Sequence, residues 1–146
     1  MIREIAEADI PALFVLRPQT RENAMSVEEL AAIGITPESM KAAIAGSHRG
    51  WLFEEYGEVG GFAMGDSANA ELTVMAMLPT HEGKGIGGQL LTRVENWLKA
   101  EGCSRVWLTT DINPALRAYG FYLRHGWEDW KIEHDLRFMR KTLVND

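Results

Sequence analysis

The stretch MLPTHEGKGIGGQLL, residues 77 to 91, sets Gly83, Gly85, Gly87 and Gly88 between an apolar run and a helical one, with Lys84 among them. A chain that leaves a strand, turns through such a loop and enters a helix has the backbone form that holds anions. Successive N–H groups converge, glycine permits close approach, and the helix dipole adds a favourable field. A Walker loop requires Gly-Lys followed by Ser or Thr, and here Lys84 is followed by Gly85. The dinucleotide fingerprint Gly-x-Gly-x-x-Gly is matched by Gly83, Gly85 and Gly88, and Asp111 stands where a ribose-binding acid would sit. That fold needs several more crossover units than the residues after Asp111 can supply, and the strands before the loop read as antiparallel hairpins. An anion-binding nest remains, with a glycine-rich connector that binds nothing as its alternative.

The rest of the chain frames this loop. With 146 residues, 46% apolar and 25% charged, residues 1–146 are expected to form one globular domain with its own core. The formal net charge of −6 offers no footprint for nucleic acid or an anionic membrane. Cys103 is the only cysteine, which suits a reducing compartment. MIREIAEADI lacks the apolar run of a signal peptide and no stretch is long enough to span a bilayer, so the expected location is cytoplasmic.

Ile2 to Ile5 suits a short strand, and Asp9 before Ile10-Pro11 reads as a helix cap. Ser26 and Glu29 are spaced as a capping box, and Thr36-Pro37 starts another helix that ends at Gly46. GWLFEEY, EVGGFAMGD and AELTVMAML read as successive strands. Beyond the glycine loop, Ile86, Leu90, Leu91, Val94, Trp97 and Leu98 recur at helical spacing. SRVWLTTD is then a strand, Asn113-Pro114 a helix start, and WEDWKIEHDLRFMRKTL supplies two more strands. The predicted class is α/β (α+β), with the elements in mixed rather than strictly alternating order.

Two motifs in this order resemble the GNAT superfamily of acetyl-CoA-dependent N-acetyltransferases. Glu82-Gly83-Lys84-Gly85-Ile86-Gly87 is similar to the family's pyrophosphate loop, Gln/Arg-x-x-Gly-x-Gly/Ala, and FYLRHGW, residues 121–127, is similar to its Phe-Tyr-x-x-x-Gly-Phe segment. The resemblance implies a mixed, mainly antiparallel sheet of about six or seven strands flanked by about four helices, splayed at the cofactor site. It implies acetyl-CoA as cosubstrate, no metal, an amine acceptor, and the family's frequent homodimer. Met75 and Met77 would lie beside the pantetheine arm, the Met75 N–H serving as oxyanion donor. Glu82, Gly83, Lys84, Gly85, Ile86, Gly87, Gly88, Asn113 and Tyr122 would complete the cofactor site. Tyr122 matches the family's acid for the leaving thiolate, and Tyr119, one turn earlier, is its rival. Glu71 occupies the position of a catalytic glutamate in some relatives, with Asp111 a second candidate base. His48, His81, His125 and His134 lack the spacing of a metal site.

Glu82 departs from the family's Gln or Arg. A carboxylate facing a pyrophosphate is unfavourable, so Glu82 is expected to turn outward, with Lys84 offsetting its charge. For the acceptor, the family uses the segment between the first helices and the last hairpin. Here these carry Arg17, Arg21, Glu22 and Asn23 on one side and Trp127, Trp130 and Glu133 on the other, a mixture able to hold a small zwitterionic amine. The alternatives are a protein N-terminus or lysine as acceptor, and an acyl-CoA-binding domain without turnover.

Overall fold

Two of the three α-helices in the N-terminal third begin where capping side chains stand. The computed structural model describes residues 1–143. A short strand, Ile2–Glu4 (β1), leads to helix Ile10–Leu16 (α1). Asp9 does not cap α1, because a 3-10 turn over Glu7–Asp9 already places it in helical backbone. Its carboxylate instead accepts the Ala6 N–H at 2.7 Å and is clamped by Arg3 at 2.8 Å. The capping box forms: the Glu29 N–H donates to Ser26 Oγ and the Ser26 N–H to Glu29 Oε1, both at 3.0 Å. It starts a separate short helix, Val27–Ala32 (α2), so the described residues hold five helices rather than about four. Thr36 caps Pro37–Ala45 (α3) in the same reciprocal way with Ser39.

Strands His48–Glu55 (β2), Glu58–Asp66 (β3) and Glu71–Met77 (β4) form an antiparallel meander. Helix Ile86–Ala100 (α4) follows, then Arg105–Asp111 (β5), Arg117–Arg124 (α5), Glu128–Glu133 (β6) and Leu136–Thr142 (β7). The Asn113-Pro114 signal does not open α5. Asn113 Oδ1 accepts the Ala115 N–H at 3.0 Å in a closed turn, and extended Leu116 separates that turn from the helix.

The seven strands lie in the order β1-β2-β3-β4-β5-β7-β6, all pairs antiparallel except β4 with β5. Both faces are covered at the centre of the sheet, and β3 shows how: Phe62 and Met64 pack with Leu13 and Leu16 of α1, while Ala63 between them packs with Leu90, Leu91 and Val94 of α4. Strand alternation therefore serves two cores, one under α1 and one under α4. Among the described residues no helix is long and apolar enough to cross a membrane.

Candidate active site

The sheet opens between its two parallel strands. β4 and β5 share one register pair, Glu71 with Trp107, reinforced by the Trp107 N–H donating to Ala70 O at 3.0 Å. Beyond it each strand follows its outer neighbour. β5 pairs with β7 from Arg105 to Asp111, and β4 stays on β3 through a bulge that leaves Thr73 outside the register. A bulge bends and twists its strand, and the two strands diverge into a wedge. The wedge is the centre of a cavity of about 920 Å³ whose walls include Thr73, Met75 and Met77 from β4, Leu108 to Asp111 from β5, the glycine loop and Tyr122.

The Met75 edge faces this wedge. Its carbonyl accepts Asn23 Nδ2 at 3.2 Å, whereas the Leu78 N–H turns the other way to Gly60 O. In an antiparallel strand the N–H and C=O of one residue share an edge. The Met75 and Met77 amides therefore point into the wedge, where an extended ligand can pair with them.

The glycine loop closes one end. Gly83 and Gly85 have φ of +75° and +79°, and a Cβ at either would meet nothing within 4 Å. Glycine serves the backbone conformation there, not close packing. Gly87 and Gly88 are small for the opposite reason. A Cβ would lie 3.4 Å from the Phe121 ring at Gly87 and 2.8 Å from His125 Nε2 at Gly88, so α4 and α5 approach closely over the first turn of α4. The unpaired N–H groups of that turn are the donors a phosphate would use. Ile86 is buried in the core, Lys84 is exposed, and neither side chain lines the cavity; nor does Asn113.

Glu82 corrects the sequence expectation. It does not turn outward. Its carboxylate, 16% exposed, lines the cavity, with Oε1 3.3 Å from Arg21 Nη2 and Oε2 3.2 Å from Arg117 Nε. Two arginines, not Lys84, offset the charge, and the inward position becomes tolerable because both sit on the same carboxylate. The cavity as a whole carries Arg17, Arg21, Arg117 and Arg124 against Glu22, Glu82 and Asp111, a positive spot in a chain of net charge −6.

Arg21 belongs to a strap. Glu22 Oε1 accepts the Arg117 N–H at 2.8 Å and Asn23 reaches Met75, so three consecutive residues tie segment 17–25 across the open end of the wedge. The last hairpin does not face it. Trp127 is core, 2% exposed, with Nε1 donating to Glu95 Oε2 at 3.0 Å. Trp130 meets Phe138 edge to face beneath Lys131, and Lys131 also pairs with Glu133. Trp127, Trp130 and Glu133 are all off the cavity wall, because β7 inserts between β5 and β6 and carries β6 to the sheet edge.

Tyr122 is buried, 7% exposed, and lines the cavity; its hydroxyl has no hydrogen-bond partner among the described residues, and burial pushes its pKa up. Tyr119 is committed elsewhere, donating to Asp129 Oδ2 at 2.7 Å with Arg137 over its ring, and it is off the cavity. Glu71 sits at the closed end of the wedge, outside the cavity lining. Leu72 packs with the α4 core, so its neighbour Glu71 projects to the other face, that of α1. Burial first, and then Asp66, raises its pKa. Asp111, at the open end, lines the cavity and accepts the Asn113 N–H at 2.8 Å. Among the described residues no group of three or more His, Cys, Asp or Glu is placed to hold a metal ion.

Known proteins share this architecture. The PaiA N-acetyltransferase of Thermoplasma acidophilum, solved with coenzyme A, superposes with a TM-score of 0.83 at 18% identity over 98% of both chains. The ribosomal-protein-S18-alanine N-acetyltransferase of Escherichia coli gives 0.76 at 16% identity, over 100% of this chain and 95% of that one. YncA of Salmonella typhimurium, a putative acetyltransferase solved with acetyl-CoA, gives 0.72 at 20% identity over 100% and 95%. No curated protein matches by sequence. The family model described as Acetyltransferase (GNAT) family matches residues 13–127, a span that holds the wedge, the glycine loop and Tyr122. The chain belongs to the GNAT family of acetyltransferases.

Proposed function

We propose that this acetyltransferase moves the acetyl group of acetyl-CoA directly to the primary amine of a small molecule. The carrying observation is the strap: Arg21, Glu22 and Asn23 are tied to Glu82, Arg117 and Met75, which bridges the acceptor side of the cavity and narrows the room in which an extended peptide could lie. The glycine loop and the N-terminus of α4 take the pyrophosphate, and the exposed amides of Met75 and Met77 pair with the pantetheine arm. The Met75 N–H polarises the thioester carbonyl, and Tyr122 protonates the departing thiolate. Acetyl-CoA turnover over a panel of small amines, amino acids and peptides tests the reading. Small amines are expected to exceed peptides in kcat/KM by about 100-fold or more, roughly the discrimination one excluded contact set supplies. Preference for peptide N-termini or lysines overturns it, as does CoA binding without amine-dependent thiol release.

Glu71 is our candidate for the base, with water relaying the proton from the amine to the closed end of the wedge. Its support is its position on the α1 face and a pKa raised towards the range a base requires. The same shift has a stability consequence. A carboxyl whose folded pKa is raised stabilises the fold below its unfolded pKa, and that contribution is lost as pH rises through the folded value. Glu71→Gln should therefore melt higher than the parent at pH 8 and no higher near pH 3, while losing the acidic limb of the kcat/KM profile. A retained acidic limb would remove Glu71 from the mechanism and leave Asp111, which lines the cavity directly.

A further inference from the structure

Of the four arginines on the cavity wall, Arg21 and Arg117 are spent on Glu82, and Arg124 is exposed at the end of α5. Arg17 stands apart. It follows α1 directly and shares its part of the chain with Leu13, Phe14 and Met25, all of which line the cavity. Its Nε is buried without a hydrogen-bond partner, and no carboxylate lies within ion-pair distance among the described residues. Its side chain makes one long bond, Nη2 to Asn23 O at 3.4 Å. Burial with no anion to offset it pulls the guanidinium pKa down. A partly buried cation with unused donors is costly to hold, and a ligand that supplies an anion recovers the cost on binding.

The other carboxylates of the cavity do not answer this need. Glu82 is held by two arginines, Glu22 by the Arg117 N–H, and Asp111 by the Asn113 N–H. Position supplies the second half of the argument. Asn23 accepts from Arg17 through its carbonyl and donates through Nδ2 to the Met75 carbonyl, so one residue separates the guanidinium from the edge of β4 at which acetyl transfer would occur. A small acceptor can touch both at once.

We propose that Arg17 is a specificity-determining residue that binds a carboxylate of the acceptor, and that the substrate class is a small amino acid presenting its amine to the wedge. The planar guanidinium fork matches a carboxylate and does not match a second amine, so polyamines are disfavoured. The inference rests on the small-molecule reading above. Of the candidates offered by the sequence, Arg21 is excluded by Glu82, and Trp127 and Trp130 because neither lines the cavity.

The test compares each amino acid with its own amide, and ω-amino acids of increasing chain length, using the parent, Arg17→Gln and Arg17→Lys. The acid is expected to exceed its amide in kcat/KM by roughly 10- to 100-fold, the worth of one charge-assisted hydrogen-bonded pair, and to do so through KM. Arg17→Gln should bring the ratio near one, and Arg17→Lys should keep part of it. CoA affinity and melting temperature report whether each variant is folded. A measurement on the parent alone covers the case in which a variant is not: propionate should inhibit competitively against the amine, and propionamide should not. A ratio near one in the parent, an unaltered ratio in CoA-binding Arg17→Gln, or equal inhibition by propionate and propionamide overturns the proposal while leaving small-molecule acetylation intact. Turnover confined to peptides overturns the small-molecule reading itself.

Discussion

Tyr122→Phe is expected to lower kcat by about 100- to 1,000-fold, in the range of a lost general acid, with little change in KM for acetyl-CoA. The phenol stands on the cavity wall, and burial keeps it protonated across the working pH range. A buried acid with no competing partner can deliver its proton only to something that enters the cavity, and the departing thiolate is the group that needs one. The same geometry makes the substitution mild for the fold. The hydroxyl has no protein partner among the described residues, so removing it leaves no buried donor or acceptor stranded, and the ring keeps its edge contacts with Phe121 and Trp127. The melting temperature should hold or rise. Tyr119→Phe is the contrast: it breaks the bond to Asp129 and touches nothing in the cavity, so it should cost stability and spare turnover. Undiminished turnover of a good acceptor by Tyr122→Phe would remove the acid assignment.

Gly85→Val is expected to weaken CoA binding by about 100-fold or more, the equivalent of one or two charge-assisted hydrogen bonds. At φ of +79° a β-branched residue is strained by about 1–3 kcal/mol. The loop can relieve that strain only by rotating the peptides on either side, which turns their N–H groups away from the nest. Beyond the adjoining residues no side chain or backbone atom lies within 4 Å of the Cβ position, so the loss cannot be assigned to a clash with the rest of the protein. Titration calorimetry with CoA reads the effect directly, and circular dichroism shows whether the fold survives. A dissociation constant within about threefold of the parent, less than 1 kcal/mol, would mean that the nest does not hold the pyrophosphate.

Much of this architecture was legible in the sequence because its causes are local. The helical spacing of Ile86, Leu90, Leu91, Val94 and Leu98 produced the amphipathic face that α4 buries. The Ser26-Glu29 box forms as reciprocal hydrogen bonds within three residues, and a helix starts at Thr36-Pro37 as read. Where two local signals competed, reading either alone misled. Asp9 has the chemistry of a cap, but a turn and Arg3 claim it first, and the Asn113 side chain satisfies its own turn before the helix can start.

The site divides along the same line. The sequence by itself determined the glycine loop and the strand that leads into it, since both depend on spacing along a short stretch and on the backbone freedom of glycine; Tyr122 was legible through the resemblance of FYLRHGW to a family segment. Only the tertiary structure decided the fate of Glu82, whose partners lie 61 positions before it, at Arg21, and 35 after it, at Arg117. It also decided that Trp127 is core, that Trp130 lies off the cavity, and that Arg17 is left without an anion. Charges and aromatics carry no periodic signature of their partners. Which of them meet is set by where the β4–β5 wedge opens and by which distant segments close over it.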